Sequence, residues 1–308
     1  MAEVEKSFLV HRKNVDFSIS AILSWYISKT LQSFFLSQLT KHGRRQAHPP
    51  PHGCKCQGNS PDQTTLFHGP TSLLKNLPLT ACPQHSQSQR ILWLLEELEI
   101  PYNLSLHYRQ KSGPRKGRSP PELAEIHPMG KAPQLVTADG RIIAESAAIA
   151  AYLIATYDTA KKFQGDGGRN DWVRDESLTS FAGASMGPIE MMKMFLDIAT
   201  LQTPLFLRPL VRWMMGAIDR AFTGPELKEM LKYLEGELGG QEYFMGKEPG
   251  RADFMLSFPM DIAVAFGWVD LGEYEGLKGW RERCQAREAW KRGLEKGNGY
   301  NMGFVMEG

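Results

Sequence analysis

The sequence is poor in several features that would have fixed its class at once. It has only four cysteines, Cys54, Cys56, Cys82 and Cys284, in no regular framework, so a small disulfide-stapled secreted domain is excluded and a reducing compartment is expected. Net charge is almost absent. The 36 basic side chains exceed the 34 acidic ones by only two, too little to draw the chain to nucleic acid or another polyanion, and a small neutral partner fits better. A clean hydrophobic run is missing as well: the most membrane-like window, "FSISAILSWYISKTLQSFFLSQL" at 17–39, carries serines throughout and Lys29 at its middle, which makes a poor spanning helix. The first residues show no cleavable signal pattern. A cytoplasmic location is expected, with association with internal membranes left open by that window. Metal-ligand spacing is lacking too, since His48, His52, Cys54 and Cys56 match no common zinc pattern and read as loop.

What is present changes character near residue 85. Up to and including it stand nine Lys/Arg against four Asp/Glu, six of the eight histidines and the stretch "HPPPHGCKCQGNSPDQ"; after it stand 27 against 30 and long periodic segments. Residues 1–76 are therefore expected to be a disordered or mis-annotated extension.

From Ser86 onward the pattern is that of folded chain. Ile91, Leu94, Leu95 and Leu98 recur at helical spacing, Leu92 and Trp93 widen the stripe, and Pro101 stops it. A helix this apolar is covered on both faces. "YNLSLHYR" reads as a strand, "QKSGPRKGRSPPEL" as a loop, and "APQLVTADGRIIAES" as a hairpin turning at Asp139-Gly140. A helix follows from Glu145 or Ser146 to about Tyr157. These elements make a small α/β layer over 77–158 of thioredoxin-type size. After the polar stretch "DTAKKFQGDGGRND", helices are expected at 170–197, 203–222, 225–239, 250–266 and 274–296, giving an all-α bundle over 170–308.

Four motifs, "SQSQRILWLLEEL" at 86–98, "PPELAEIHPMGKAP" at 120–133, "AES" at 144–146 and "GRADFMLSFP" at 250–259, stand in an order and at a spacing that resembles the soluble glutathione S-transferases, most closely their fungal branch. The likeness covers residues 86 to about 305. It implies a thioredoxin-like domain followed by a helical bundle, glutathione as co-substrate with no other cofactor, addition of its thiolate to a hydrophobic electrophile, possible peroxidase side activity, and a homodimer.

The resemblance assigns roles that the residue types can fill. Ser86, at the start of the first helix, offers a hydroxyl donor and the positive end of the helix dipole to a thiolate; without the motif it would read as an N-cap. Arg90 is expected to make structural contacts. Glu145 and Ser146 supply an acceptor and a donor in sequence for the ammonium and carboxylate of the γ-glutamyl end. Pro133 matches the family's cis-proline, which turns the backbone of Ala132 toward the peptide, and Lys131 can reach the glycine carboxylate. Met186, Met191, Met192, Met194, Met214 and Met215 crowd the first helices of the second domain and suit either a pliable pocket or ordinary packing, with packing preferred for most. Asp253 fits the third position of a capping box whose N-cap is Gly250, where the family usually has Ser or Thr.

One stretch departs from the pattern. The strand ahead of Ser86 should be central, yet the sequence there is "NLPLTACPQH", and Pro78 and Pro83 each remove a ladder donor. Either the sheet lacks its first strand or this segment replaces it badly, and a retained intron or wrong start ahead of His85 would leave such a junction. Cys82-Pro83 also resembles the Cys-Pro of the omega-like thiol-transferring branch, although Cys82 stands too far from Arg90 for that pattern. The alternatives to conjugation are thus thiol transfer through Cys82, or a non-catalytic binding protein on the same fold.

Overall fold

A computed structural model describes residues 76–84, 86–112, 117–163 and 172–300. The expected extension at 1–76, the window at 17–39 and His48, His52, Cys54 and Cys56 lie outside the described residues, Asn76 excepted.

The first half holds β1 (Leu77–Ala81), α1 (Ser88–Glu97), β2 (Tyr102–Leu106), a short α2 (Leu123–Ile126), β3 (Gln134–Val136), β4 (Ile142–Ala144) and α3 (Ser146–Tyr157). The four strands form one sheet in the order β2-β1-β3-β4. β1 runs parallel to β2, with Leu77 opposite Tyr102, and antiparallel to β3, with Leu79 opposite Leu135; β3 and β4 form the hairpin. That hairpin turns where expected, with Gly140 at φ 84° and its amide bonded to Thr137 O at 2.9 Å. The helix α2 starts at the last residue of the stretch read as loop and lies in residues to which the sequence reading assigns no element.

The doubt about the first strand is corrected. The segment 77–81 is a central strand despite Pro78. Leu77 donates its amide to Pro101 O on the β2 side at 3.2 Å. Amides alternate along a strand, so the donor missing at Pro78 belongs to the β3 side, where pairing is confined to Leu79 and Thr80. Pro78 therefore removes no paired bond, and Pro83 lies beyond the strand.

The second half is helical throughout. α4 (Trp172–Ser180) passes through a π-helical segment, Phe181–Met186, into α5 (Gly187–Gln202); α6 (Arg208–Ile218) passes through another, Asp219–Thr223, into α7 (Gly224–Leu238). Each π segment ends directly before a Gly-Pro pair. Pro188 and Pro225 have no amide for the i−4 carbonyl, and a wider turn accommodates their rings. α8 (Arg251–Ala265), α9 (Glu275–Ala286) and α10 (Glu288–Lys296) follow. The single helix expected over 274–296 is broken at Arg287, whose backbone is extended at φ −63°, ψ 136°.

α1 sits at the centre of these layers. Ile91, Leu92, Trp93, Leu94 and Leu95 are all buried, as an all-round apolar helix must be. On one side lies the sheet. On the other, Trp93 packs edge-on against Phe254 of α8 and Trp290 of α10, with ring centroids at 4.4 and 5.1 Å. α10 approaches α1 so closely that a Cβ at Gly293 would lie 3.1 Å from backbone atoms of Leu92 and Trp93.

Candidate active site

A cavity of about 650 Å3 lies between the sheet half and the helical half. The structure brings Ser86, Lys131, Ala132, Pro133, Glu145 and Ser146 together on its wall, and Cys82 as well.

Ser86 stands slightly ahead of its expected place. α1 begins at Ser88, with Gln87 in the capping position and making no side-chain cap bond. Ser88 Oγ accepts from the Cys82 amide at 3.0 Å and lies 2.9 Å from Ser86 Oγ, which also accepts the Ser88 amide at 3.3 Å. Either hydroxyl can donate in the Ser86–Ser88 contact; with Ser88 as the donor, the Ser86 proton is free for an acceptor in the cavity. This explains the polar opening of α1: the hydroxyls join the end of β1 to the start of the helix.

One turn further on, Arg90 is buried, donates Nη1 to Met255 O at 2.9 Å and stacks 5.2 Å above the Phe258 ring. These are the structural contacts expected of it, and they tie α1 to α8. Burial pulls its guanidinium down to about 10, so it stays charged at neutral pH and adds positive field near Ser86. Cys82 differs. Its Sγ lies 3.6 Å from Gln84 O, and burial pushes the thiol up from its ordinary value although that bond and the Arg109 charge oppose it.

The Ala132–Pro133 peptide is cis. β3 starts only at Gln134, and among the described residues the Ala132 backbone has no hydrogen-bond partner. Glu145 has φ 76°, a region that non-glycine residues seldom occupy and that tends to cluster at functional sites. Its side chain is exposed on the cavity wall. Ser146 is buried and donates Oγ to Gln87 Oε1 at 2.7 Å; the donor expected for a carboxylate is thus engaged, and the free amides at the start of α3 remain. Gln87 and Arg109 also line the cavity and were missed. The cluster "SQSQR" was a visible signal for Gln87, whereas nothing local marks Arg109.

The opposite wall is apolar and comes from α5 and α8: Met191, Met194, Met255, Phe258 and Ile262. Of the six methionines singled out, Met186 packs in the core, Met191 and Met194 line the cavity, and Met192 is exposed.

The family description "Glutathione S-transferase, N-terminal domain" matches residues 86–156 and "Glutathione S-transferase, C-terminal domain" matches 219–288. Glutathione S-transferase 3 of Schizosaccharomyces pombe is 30% identical over 213 residues, spanning 69% of this chain and 85% of that protein. The chain belongs to the glutathione S-transferase family of enzymes. Glutathione S-transferase 1 of Saccharomyces cerevisiae is 25% identical over 227 residues, covering 71% of this transferase and 95% of the yeast protein. Among solved structures, a glutathione S-transferase from Actinobacillus pleuropneumoniae superposes with TM-score 0.58 at 25% identity, over 74% of this chain and 95% of that one. A glutathione transferase from Phanerochaete chrysosporium in complex with oxidized glutathione gives 0.58 at 22%, over 73% and 97%. The N-terminal family match begins at Ser86 and so omits β1, which this transferase nevertheless has in place.

Proposed function

We propose that this transferase binds glutathione along the Lys131–Pro133 and Glu145–Ser146 wall and adds its thiolate to hydrophobic electrophiles held against α5 and α8, with Ser86 as the thiolate's hydrogen-bond donor. The observation that carries this reading is a cavity in which Ser86, whose hydroxyl is able to donate, the start of α1 and a polar wall face a methionine-rich apolar wall. Hydroxyl and helix end both favour the anionic sulfur. The same thiolate can attack a peroxide oxygen, which gives the peroxidase side activity, and the physiological role that follows is detoxification and defence against oxidative stress in the cytoplasm.

Two features weigh against the alternatives. Cys82 is buried with its thiol held toward the protonated form, which disfavours thiol transfer, and the intact β1 removes the ground for a non-catalytic reading. Ser86→Ala tests the proposal: glutathione binding should persist while the pH at which the bound thiol ionises rises by about 1–2 units, the equivalent of one charged hydrogen bond of roughly 1–3 kcal/mol. Thiolate absorbance titrated in the bound state reads this. An unshifted titration, or a glutathione adduct on Cys82 by mass spectrometry with exchange lost in Cys82→Ser, would overturn it.

The transferase is further proposed to be a homodimer. Phe195, Leu205, Phe206, Leu210 and Trp213 of the α5–α6 region are exposed, more apolar side chain than a monomer usually shows in one region. Sedimentation should give twice the chain mass. A monomer that sediments with lipid vesicles would assign that surface to a membrane instead.

A further inference from the structure

Glu190, in the first turn of α5, lines the cavity and is 4% exposed. Among the described residues neither of its carboxyl oxygens has a hydrogen-bond partner, and Oε1 is sealed from solvent as well. The charge of Arg90 acts on it from α1, yet burial outweighs this and pushes the carboxyl well above the usual carboxylate range. Arg90 forms no ion pair with it: Nη1 donates to Met255 O and Sδ, and among the described residues the buried Nε has no hydrogen-bond partner. Helix-end stabilisation is also absent: α5 continues out of the π segment Phe181–Met186 and has no free first amides. A carboxylate in this position would have an oxygen with neither water nor donor. A carboxylic acid resolves the difficulty. Its carbonyl oxygen can be the sealed one, which leaves the O–H on the other oxygen, free to donate to a molecule in the cavity that Glu190 lines.

We propose that Glu190 is a substrate-contacting hydrogen-bond donor that selects, among hydrophobic electrophiles, those whose reacting carbon is conjugated to a neutral carbonyl. This rests on the conjugation reading above. The glutathione sulfur bonds to the β-carbon of the alkene, the π pair moves onto the α-carbon and carbonyl oxygen, and the Glu190 O–H donates to that oxygen as its negative charge grows. Water then protonates the α-carbon, replacing the proton lost when the thiol ionised. The net change is addition of S–H across C=C, with no oxidant and no leaving group. The apolar wall beside Glu190 suits the rest of such a molecule.

The test compares kcat/KM of the full chain for a phenyl-substituted enone and for benzyl chloride, in which charge develops on a departing halide and no carbonyl exists. Glu190→Leu should lower the enone-to-benzyl-chloride ratio about 30-fold or more, of the order seen when one oxyanion donor is removed. Glu190→Gln, whose amide N–H can still donate, should keep the ratio within about tenfold of wild type. Should the leucine variant fail to fold, Glu190→Met supplies the same comparison. A ratio within threefold of wild type in the apolar variants, or equal losses in Glu190→Gln and Glu190→Leu, would overturn the assignment. Wild-type protein that binds glutathione yet conjugates neither compound would overturn the conjugation reading itself, an outcome distinct from a loss of selectivity.

Discussion

At Gly250 two residue-scale effects oppose each other. Capping alone favours Ser or Thr at this N-terminus of α8, by about 1 kcal/mol. A Cβ there would lie 2.2 Å from Met245 Cγ and 2.5 Å from its Cβ, and Met245 is buried, so the gain is offset by overpacking of about 1–3 kcal/mol. Asp253 supplies the other half of the capping box: Oδ2 accepts the Gly250 amide at 2.8 Å, and Oδ1 accepts the Phe244 amide and Trp280 Nε1 at 2.8 and 2.7 Å. Gly250→Ser should therefore lower stability, by up to about 2 kcal/mol in urea unfolding. A gain would mean that Met245 moves aside at little cost. The glycine is a matter of space, which no capping rule reveals.

At the scale of elements, the docking of α10 on α1 is polar at its rim. Arg287 binds Glu97, with Nη2 to Oε2 at 2.9 Å, and reaches Tyr243 Oη at 3.1 Å. Glu96 accepts from Arg292 Nε at 2.9 Å, Lys296 Nζ at 2.5 Å and Tyr102 Oη at 2.6 Å. The Glu97 side chain is only 5% exposed. Arg287→Ala would leave that carboxylate with the Trp93 indole and a distant Lys162, and should cost about 3 kcal/mol, as breaking one side of a buried pair does. Burial alone would raise both carboxyls, but the bonds from Lys296, Tyr102 and Arg292 on Glu96, and from Arg287 and Trp93 on Glu97, outweigh it and hold both below the ordinary 4.5. A carboxyl depressed in the folded state adds stability that is full above its unfolded value and is lost as pH falls through its folded one. The urea midpoint should thus drop as pH is lowered from about 5 toward 3, and drop less in Arg287→Ala. Equal pH dependence in the two proteins would show that Glu97 does not carry the effect.

At the scale of the whole molecule, β1 is the strand that both β2 and β3 pair with, and Cys82, just past its end, donates its amide to the Ser88 hydroxyl that contacts Ser86. A chain starting at Asn76 should bind immobilised glutathione. One starting at His85 should not, since it loses the central strand and the contact that orients Ser86. Retention by the shorter chain would mean that the sheet closes without β1. Loss of binding in the shorter chain would place any junction between foreign and native sequence ahead of Leu77 rather than at His85.

The sequence by itself determined what depends on near neighbours. The apolar run Ile91–Leu95 makes a helix buried on all sides, Asp139-Gly140 turns the hairpin, and the spacing of Ser86, Lys131–Pro133 and Glu145–Ser146 is enough to recognise the family, because periodicity and turn chemistry act over a few residues. Only the tertiary structure decided whether Pro78 could sit in a central strand, since that turns on which neighbour faces the missing amide. The Ser146 donation to Gln87, 59 residues apart, and the unpartnered acid of Glu190 were likewise beyond local reading: a side chain's partners and its protonation are set by what distant segments bring to it or withhold.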